Sequence, residues 1–259
     1  MEAPILQIVR VSRSFGGKRG RVHRGNAAPG SVRRGRNRID ALVDVSFSLP
    51  SGAVAALVGG NGAGKSTLLP LIAGALRPDE GEISLFGTSV PGTFEAVRHR
   101  IGVLSAGGAL YDRLSAREFL HYVGALRGLP AGTVADRIVE LAPSMGLSGF
   151  LDRRCGTFSS GMRQRTALAA TIIHRPELII LDEPTTGLDI PLRREMNTLI
   201  TGLARAGTTL VIATHHPEEV GPYVTHLIAL ENGHLVAAEE TSEAALGARV
   251  DALFRGGAR

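Results

Sequence analysis

Residues Gly59–Ser66 read GGNGAGKS, a glycine followed after four residues by Gly-Lys-Ser, which is the spacing of a loop that wraps a phosphate. Gly59, Gly60, Asn61, Gly62, Ala63 and Gly64 let the chain turn back so that successive backbone N–H groups converge on one anion. A helix opening at once with Lys65, Ser66 and Thr67 adds its dipole to that attraction. In such a loop Lys65 is a point charge within reach of the β- and γ-phosphates of a nucleotide such as ATP, and the Ser66 hydroxyl is placed to ligate Mg²⁺. Farther along, LIILDE (Leu178–Glu183) is an apolar run closed by two carboxylates. An Asp-Glu pair at a strand end is by itself an ordinary solvated turn. Beside a phosphate loop it gains chemistry: Asp182 can hold Mg²⁺ through its water shell, and Glu183 can take a proton from an attacking water.

Such groups need a strand before the loop and a helix after it, and both are legible. VAALV (Val54–Val58) enters the loop, and the residues after Ser66 predict a helix to about Ala75. Pro70 falls inside that helix, removing one hydrogen bond at a cost of about 3 kcal/mol and predicting a kink. Further strands are predicted near Ile5–Val11, Ala41–Phe47, Glu82–Phe86, Ile101–Leu104, Leu178–Asp182, Thr209–Ala213 and His226–Glu231. Helical spacing runs through Ser115–Arg175 and returns at Pro191–Arg205. Strands alternating with helices predict an α/β fold with a mostly parallel sheet covered on its faces.

The chain has 259 residues, 44% of them apolar, enough for one large domain or a core with a subdomain. Its positive charge is concentrated. Gly17–Arg38 holds eight of the 29 Lys and Arg residues and no Asp or Glu, so the remaining 21 basic residues face all 24 acidic ones. Glycines, a proline and like charges predict an exposed flexible loop there. Anionic lipid headgroups are a second reading. Nucleic acid fits poorly, because the tract has no aromatic residue to stack on a base. No apolar run approaches the roughly 18 residues of a membrane-spanning helix, and the N-terminus lacks a signal-peptide layout, so cytosolic residence is expected. Cys155 is the only cysteine; it can form no internal disulfide and reads as a partly buried thiol.

Between and after the two phosphate motifs stand FSSGMRQRTALA (Phe158–Ala169), PTTGLD (Pro184–Asp189) and ATHHPEEV (Ala213–Val220). In this order the chain resembles the ATP-binding subunit of ABC transporters, and the resemblance covers nearly everything outside the basic tract. YDRLSARE (Tyr111–Glu118), GMRQR and PTTGLD are most similar to the sodium- and drug-efflux (ABC-2-type) exporter ATPases. The resemblance implies a P-loop NTPase cassette: a mostly parallel core with an antiparallel β part and an inserted helical subdomain. Residues 1–259 would form one ABC ATPase domain, with the core at about 1–105 and 176–259, the helical subdomain at about 106–175 and the basic insert at about 17–38.

The same resemblance assigns roles. Phe158-Ser159-Ser160-Gly161-Met162 stands for the signature LSGGQ, so Ser159, Ser160, Gly161 and Met162 would meet the γ-phosphate of ATP held by a second subunit. A head-to-tail dimer around two Mg-ATP follows, either a homodimer or a pair with a like subunit. Asp189 matches the D-loop aspartate that communicates across the dimer, His215 the switch histidine on the γ-phosphate, and Phe15 the aromatic that stacks on adenine; His216 is expected to point elsewhere. The partner implied is an integral membrane permease, the location the cytoplasmic face of the membrane, and the direction export. Two departures stand out: Ala106 occupies the place of the Q-loop glutamine, and Glu240 that of a glycine in the final turn. Two other readings stay open. The SSGM signature and the residues inserted after Phe15 also resemble polysaccharide-exporter ATPases, and Ala106 is compatible with a regulatory, non-transport cassette.

Overall fold

The structure, a computed structural model, describes residues 3–16, 38–90, 92–107 and 109–255. The expectations made for the basic tract therefore lie outside the described residues, save at Arg38.

Among the described residues ten strands make two sheets. Strands β1 (Leu6–Phe15), β2 (Ile39–Leu49), β4 (Glu80–Leu85) and β5 (Thr88–Val90) form an antiparallel sheet in the order β2-β1-β4-β5. The second sheet runs β10-β9-β3-β8-β7-β6, from β3 (Val54–Val58), β6 (Ile101–Leu104), β7 (Leu178–Asp182), β8 (Thr209–Ala213), β9 (His226–Glu231) and β10 (His234–Glu240). All its pairings are parallel except β10 on β9. The fold class expected from the sequence, a mostly parallel core with an antiparallel part, is the one observed.

Burial explains why the central strands are continuous apolar runs. Ala56, Ile179, Leu210 and Leu227 point into one core and Leu57, Ile180, Val211 and Ile228 into the other, so successive residues serve opposite faces of one sheet. On one face α1 (Lys65–Ile72) lies in a core shared with the antiparallel sheet. On the other, the apolar residues of α3 (Ala116–Leu126), α4 (Ala131–Ser144), α5 (Ser160–Ile172) and α6 (Ile190–Arg205) join a single cluster with the sheet. Each fully buried Leu or Ile adds about 1.5–3 kcal/mol, which makes these two cores the main source of stability.

Strands β3, β6, β7, β8 and β9 occupy the spans predicted. Other boundaries differ for local reasons. Phe86 takes a left-handed φ of 54°, so β4 stops at Leu85. Helix α1 ends at Ile72 rather than about Ala75: Gly74, at φ 67°, donates its N–H to the Leu71 carbonyl and turns the chain. Pro70 lies two residues from that end, and its carbonyl accepts the N–H groups of Ala75 and Leu76. Not predicted were β5, β10 and the helices α2 (Phe94–Val97), α7 (Pro217–Val220) and α8 (Glu243–Arg255). Glu240 is the last residue of β10. Among the described residues no helix is long and apolar enough to cross a membrane.

Candidate functional site

The strand order brings the motifs together. β3 lies beside β8, and β8 beside β7, all parallel, so the loops after the three strands open at one edge of the sheet. A cleft of about 380 Å³ lies there, lined by Gly60–Thr67, Asp182, Glu183, His215, Ala106 and the β2 residues Ile39–Ala41. Gly64 must be a glycine: its φ is 112°, and a Cβ there would meet the Ala41 carbonyl at 2.7 Å. Lys65 is only 7% exposed, and its ammonium donates to the Gly59 carbonyl at 2.6 Å and the Gly60 carbonyl at 3.4 Å. Burial pushes its pKa down, while the charges of Glu183 and Asp182 push it back up.

The two carboxylates are held differently. Asp182 has its pKa raised by burial and by the neighbouring charge of Glu183; Lys65 and a hydrogen bond from the Ala106 backbone N–H offset part of that. Ala106 thus keeps a main-chain link to the acid although its side chain offers no polar atom. Glu183 sits at a left-handed φ of 51°, with its N–H on the Ala213 carbonyl of β8 at 3.0 Å. The Thr186 hydroxyl donates to Glu183 Oε2 at 3.1 Å, and His215 Nε2 lies 3.3 Å from Oε1. That approach lacks the alignment of a hydrogen bond, so Oε1 is buried with no donor. His216 turns away, as expected, with Nδ1 3.3 Å from Glu218 Oε1.

The remaining predicted residues are not in the cleft. Phe15, 40% exposed with the Arg13 guanidinium 5.1 Å from its ring centre, stands at the margin, paired in register with the cleft residue Ile39. Ser159 caps α5, accepting the Met162 N–H at 3.3 Å; Ser159 and Ser160 are exposed, Gly161 buried and Met162 half-buried. The N–H groups of the first turn of α5 have no acceptor within the helix. Asp189 caps α6 in the same way, accepting from Leu192 at 3.0 Å. Neither Ser159–Met162 nor Asp189 lines the cleft.

Several contributing residues escaped the sequence reading. The turn Asn232-Gly233 braces the phosphate loop: Gly233 N–H donates to the Ala63 carbonyl at 3.1 Å, and its own carbonyl accepts from Val43 at 2.8 Å. Its Asn-Gly pair was the available signal for a hairpin turn. The buried Gln164 of α5 donates to the Pro184 carbonyl at 2.7 Å, tying the helix to the loop after β7. No local pattern announces that contact.

Comparison with known proteins agrees with this geometry. The sequence profile of the ABC transporter family matches residues 42–186, and one described as "AAA domain, putative AbiEii toxin, Type IV TA system" matches 152–221. The chain is 39% identical to the ABC transporter ATP-binding protein NatA of Bacillus subtilis over 76% of its own length and 81% of that protein's. It is 35% identical to the daunorubicin/doxorubicin resistance ATP-binding protein DrrA of Streptomyces peucetius over 85% of its own length, spanning 66% of that relative. A solved ATP-binding cassette in a dimeric post-hydrolysis state with ADP and Pi superposes with a TM-score of 0.76, covering 91% of this chain and 98% of that one; at 22% identity it speaks for the fold alone. A phosphate loop, a half-buried carboxylate pair and a facing histidine on this sheet, matched to these relatives, establish that the chain belongs to the ABC transporter family, as an ATP-binding, ATP-hydrolysing subunit.

Proposed function

We propose that this chain pairs with a second copy, or with a like subunit, around two Mg-ATP, and that closing and reopening of the pair drives an integral membrane permease in the export direction. The observation that carries the reading is a division of labour. One chain supplies a cleft with Lys65, Asp182, Glu183 and His215, while the capped, exposed start of α5 at Ser159–Ser160 lies outside it. A helix N-terminus with open N–H groups suits the phosphate of a nucleotide bound elsewhere.

In this reading the amides of Gly60–Gly64 grip the phosphates, Lys65 draws on the terminal ones, and Phe15 covers the adenine from the rim. Ser66 and Asp182 would hold Mg²⁺, which when bound neutralises charge on the β- and γ-phosphate oxygens. The donor set fits such a cation: burial and the charge of Glu183 both disfavour the ionised form of Asp182, so added positive charge is favourable there. Glu183 Oε1, which no donor occupies, accepts the proton of the attacking water, and His215 steadies the γ-phosphate side. Asp189, at the tip of α6, reports to the opposite subunit.

Ala106 lines the cleft, and the adjacent Ser105 lines a second groove of about 160 Å³ with Val103, Phe119 and Val123. A permease segment seated in that groove would touch the backbone that hydrogen-bonds Asp182. The helical block α3–α5 is proposed to move as a unit on the core. Export is favoured by the resistance function named for the Streptomyces relative. The tract Lys18–Arg38 is proposed to meet anionic headgroups where the subunit lies on the cytoplasmic face as a peripheral protein; nucleic acid is not expected.

Glu183→Gln tests the mechanism. Turnover should fall by about 10²–10⁴-fold, the scale of a lost general base, with a dimer persisting in Mg-ATP on size exclusion. Unchanged phosphate release, or a variant monomeric with ATP bound, sinks the reading. The same preparations floated with phosphatidylserine vesicles test the tract: flotation that survives deletion of Lys18–Arg38 removes the lipid proposal.

A further inference from the structure

Two adjacent threonines after β7 point to different partners. Thr186 donates to the catalytic candidate Glu183 at 3.1 Å, whereas Thr185, only 4% exposed, donates to Oε2 of Glu219 at 2.9 Å. Glu219 belongs to α7, four residues after His215. Its other oxygen, Oε1, accepts from Arg193 at 2.9 Å, and the second terminal nitrogen of Arg193 donates to the Leu188 carbonyl at 3.3 Å, one residue before Asp189. The Glu219 side chain is 12% exposed, and none of its partners is close in sequence. One carboxylate therefore joins the turn that carries Glu183, the segment that carries Asp189 and the helix that follows His215.

We propose that Glu219 is a positioning residue for ATP hydrolysis, clamping the Glu183, Asp189 and His215 loops into one unit so that a shift of any one is felt by the other two. The inference rests on the catalytic reading given above for Glu183 and His215. The geometry favours a coupling role over simple packing, because the two oxygens are committed to separate segments, Thr185 in the turn after β7 and Arg193 in the first turn of α6, and the carboxylate end of the charge pair is largely withdrawn from water. Such a pair holds its members tightly only while both are present. Misplacing a general base by an ångström is enough to cost one to two orders of magnitude in rate.

The test uses the full chain with its ATPase and Mg-ATP affinity measured together. Thr185→Val removes one bond of the clamp at nearly constant shape, and Thr185→Ser restores it. Glu219→Gln keeps an acceptor for Thr185 but discharges the pair with Arg193. Thr185→Val and Glu219→Gln should each lower kcat on the order of tenfold with KM for ATP within about twofold, and Thr185→Ser should recover most of it. The double variant Thr185→Val/Arg193→Gln should be less impaired than the product of the single losses, since both act through one carboxylate. Wild-type kcat in Thr185→Val and Glu219→Gln overturns the inference alone. Loss of kcat only in step with a fallen melting temperature or a raised KM also overturns it, by making the residue structural. A wild-type chain without ATPase overturns the inference together with the reading it rests on.

Discussion

In the reading proposed above the cleft and the tip of α5 both meet phosphate, yet they are built in opposite ways. The cleft is assembled from five separate stretches of chain and is open at its rim, with a buried Lys65 held against its own loop carbonyls and two half-buried carboxylates behind it. The tip of α5 is local, a serine cap and one helical turn, with Ser159 and Ser160 exposed. A self-contained half-site can bind nucleotide alone. An open helix start gains its full value only when a phosphate is brought to it. If the two regions share a nucleotide only across a pair, binding and turnover become separable properties of this chain.

Mixing two crippled chains breaks or sharpens that comparison with the largest effect. Lys65→Ala removes a charge-assisted contact of about 1.5–3 kcal/mol, so Mg-ATP affinity should fall roughly 10- to 100-fold. Ser159→Ala should leave affinity of the isolated chain near wild type while lowering turnover, since it removes only the cap, about 1 kcal/mol of helix stability, and the signature hydroxyl. In an equal mixture, a mixed pair contains one composite site with Lys65 and Ser159 both intact. Phosphate release should rise well above the mean of the two separate preparations; strict averaging would show that the two regions never share a nucleotide.

A smaller effect is expected where the cleft is braced from outside. Gly233 has φ 80°, and a Cβ would stand 2.9 Å from the Ala41 carbonyl. Gly233→Val should cost about 1–3 kcal/mol of stability through backbone strain. It should also loosen the Ala63 contact, raising KM for ATP several-fold more than it lowers turnover. Ser159→Ala should show the reverse pattern. Identical kcat and KM signatures for the two variants would dissolve the distinction between the regions.

How far the sequence carried follows the same division. Central strands were legible because burial on both faces demands continuous apolar residues, and the phosphate loop because only glycine tolerates its turns. Ser159 and Asp189 stood out through the family motifs, whereas their capping of α5 and α6 is seen only in the fold. Two edge strands were not legible: β10 fully buries only Ala237 among its seven residues, and β5 has three residues. The Glu219 clamp spans 34 residues to Thr185 and 26 to Arg193, a distance at which no periodicity operates. Ala106 looked like a loss because a side chain was being read, while the contact to Asp182 is made by the main chain.

The smallest expected effect lies at the joint between the two regions. His174, two residues past the end of α5, sets Nε2 3.0 Å from the Ile101 carbonyl at the start of β6. Burial, helped by the charge of Arg127, lowers its pKa to about 4. The folded chain therefore refuses a proton that the unfolded chain accepts below its ordinary value of about 6.5, and stability falls as pH drops from 6.5 toward 4. His226, lowered mainly by burial, adds in the same direction, whereas the depressed carboxylates Asp79 and Glu177 act only lower in pH. Because part of His174 is open to solvent, its share between pH 7 and pH 5 is discounted to about 1 kcal/mol. In His174→Gln, which keeps a neutral donor for Ile101, the drop in Tm from pH 7 to pH 5 should shrink by about 2–4 °C. An unchanged pH slope would mean that the joint does not sense protonation and that His174 serves there only as a neutral hydrogen-bonding and packing group beside the Thr171 contact to Val103.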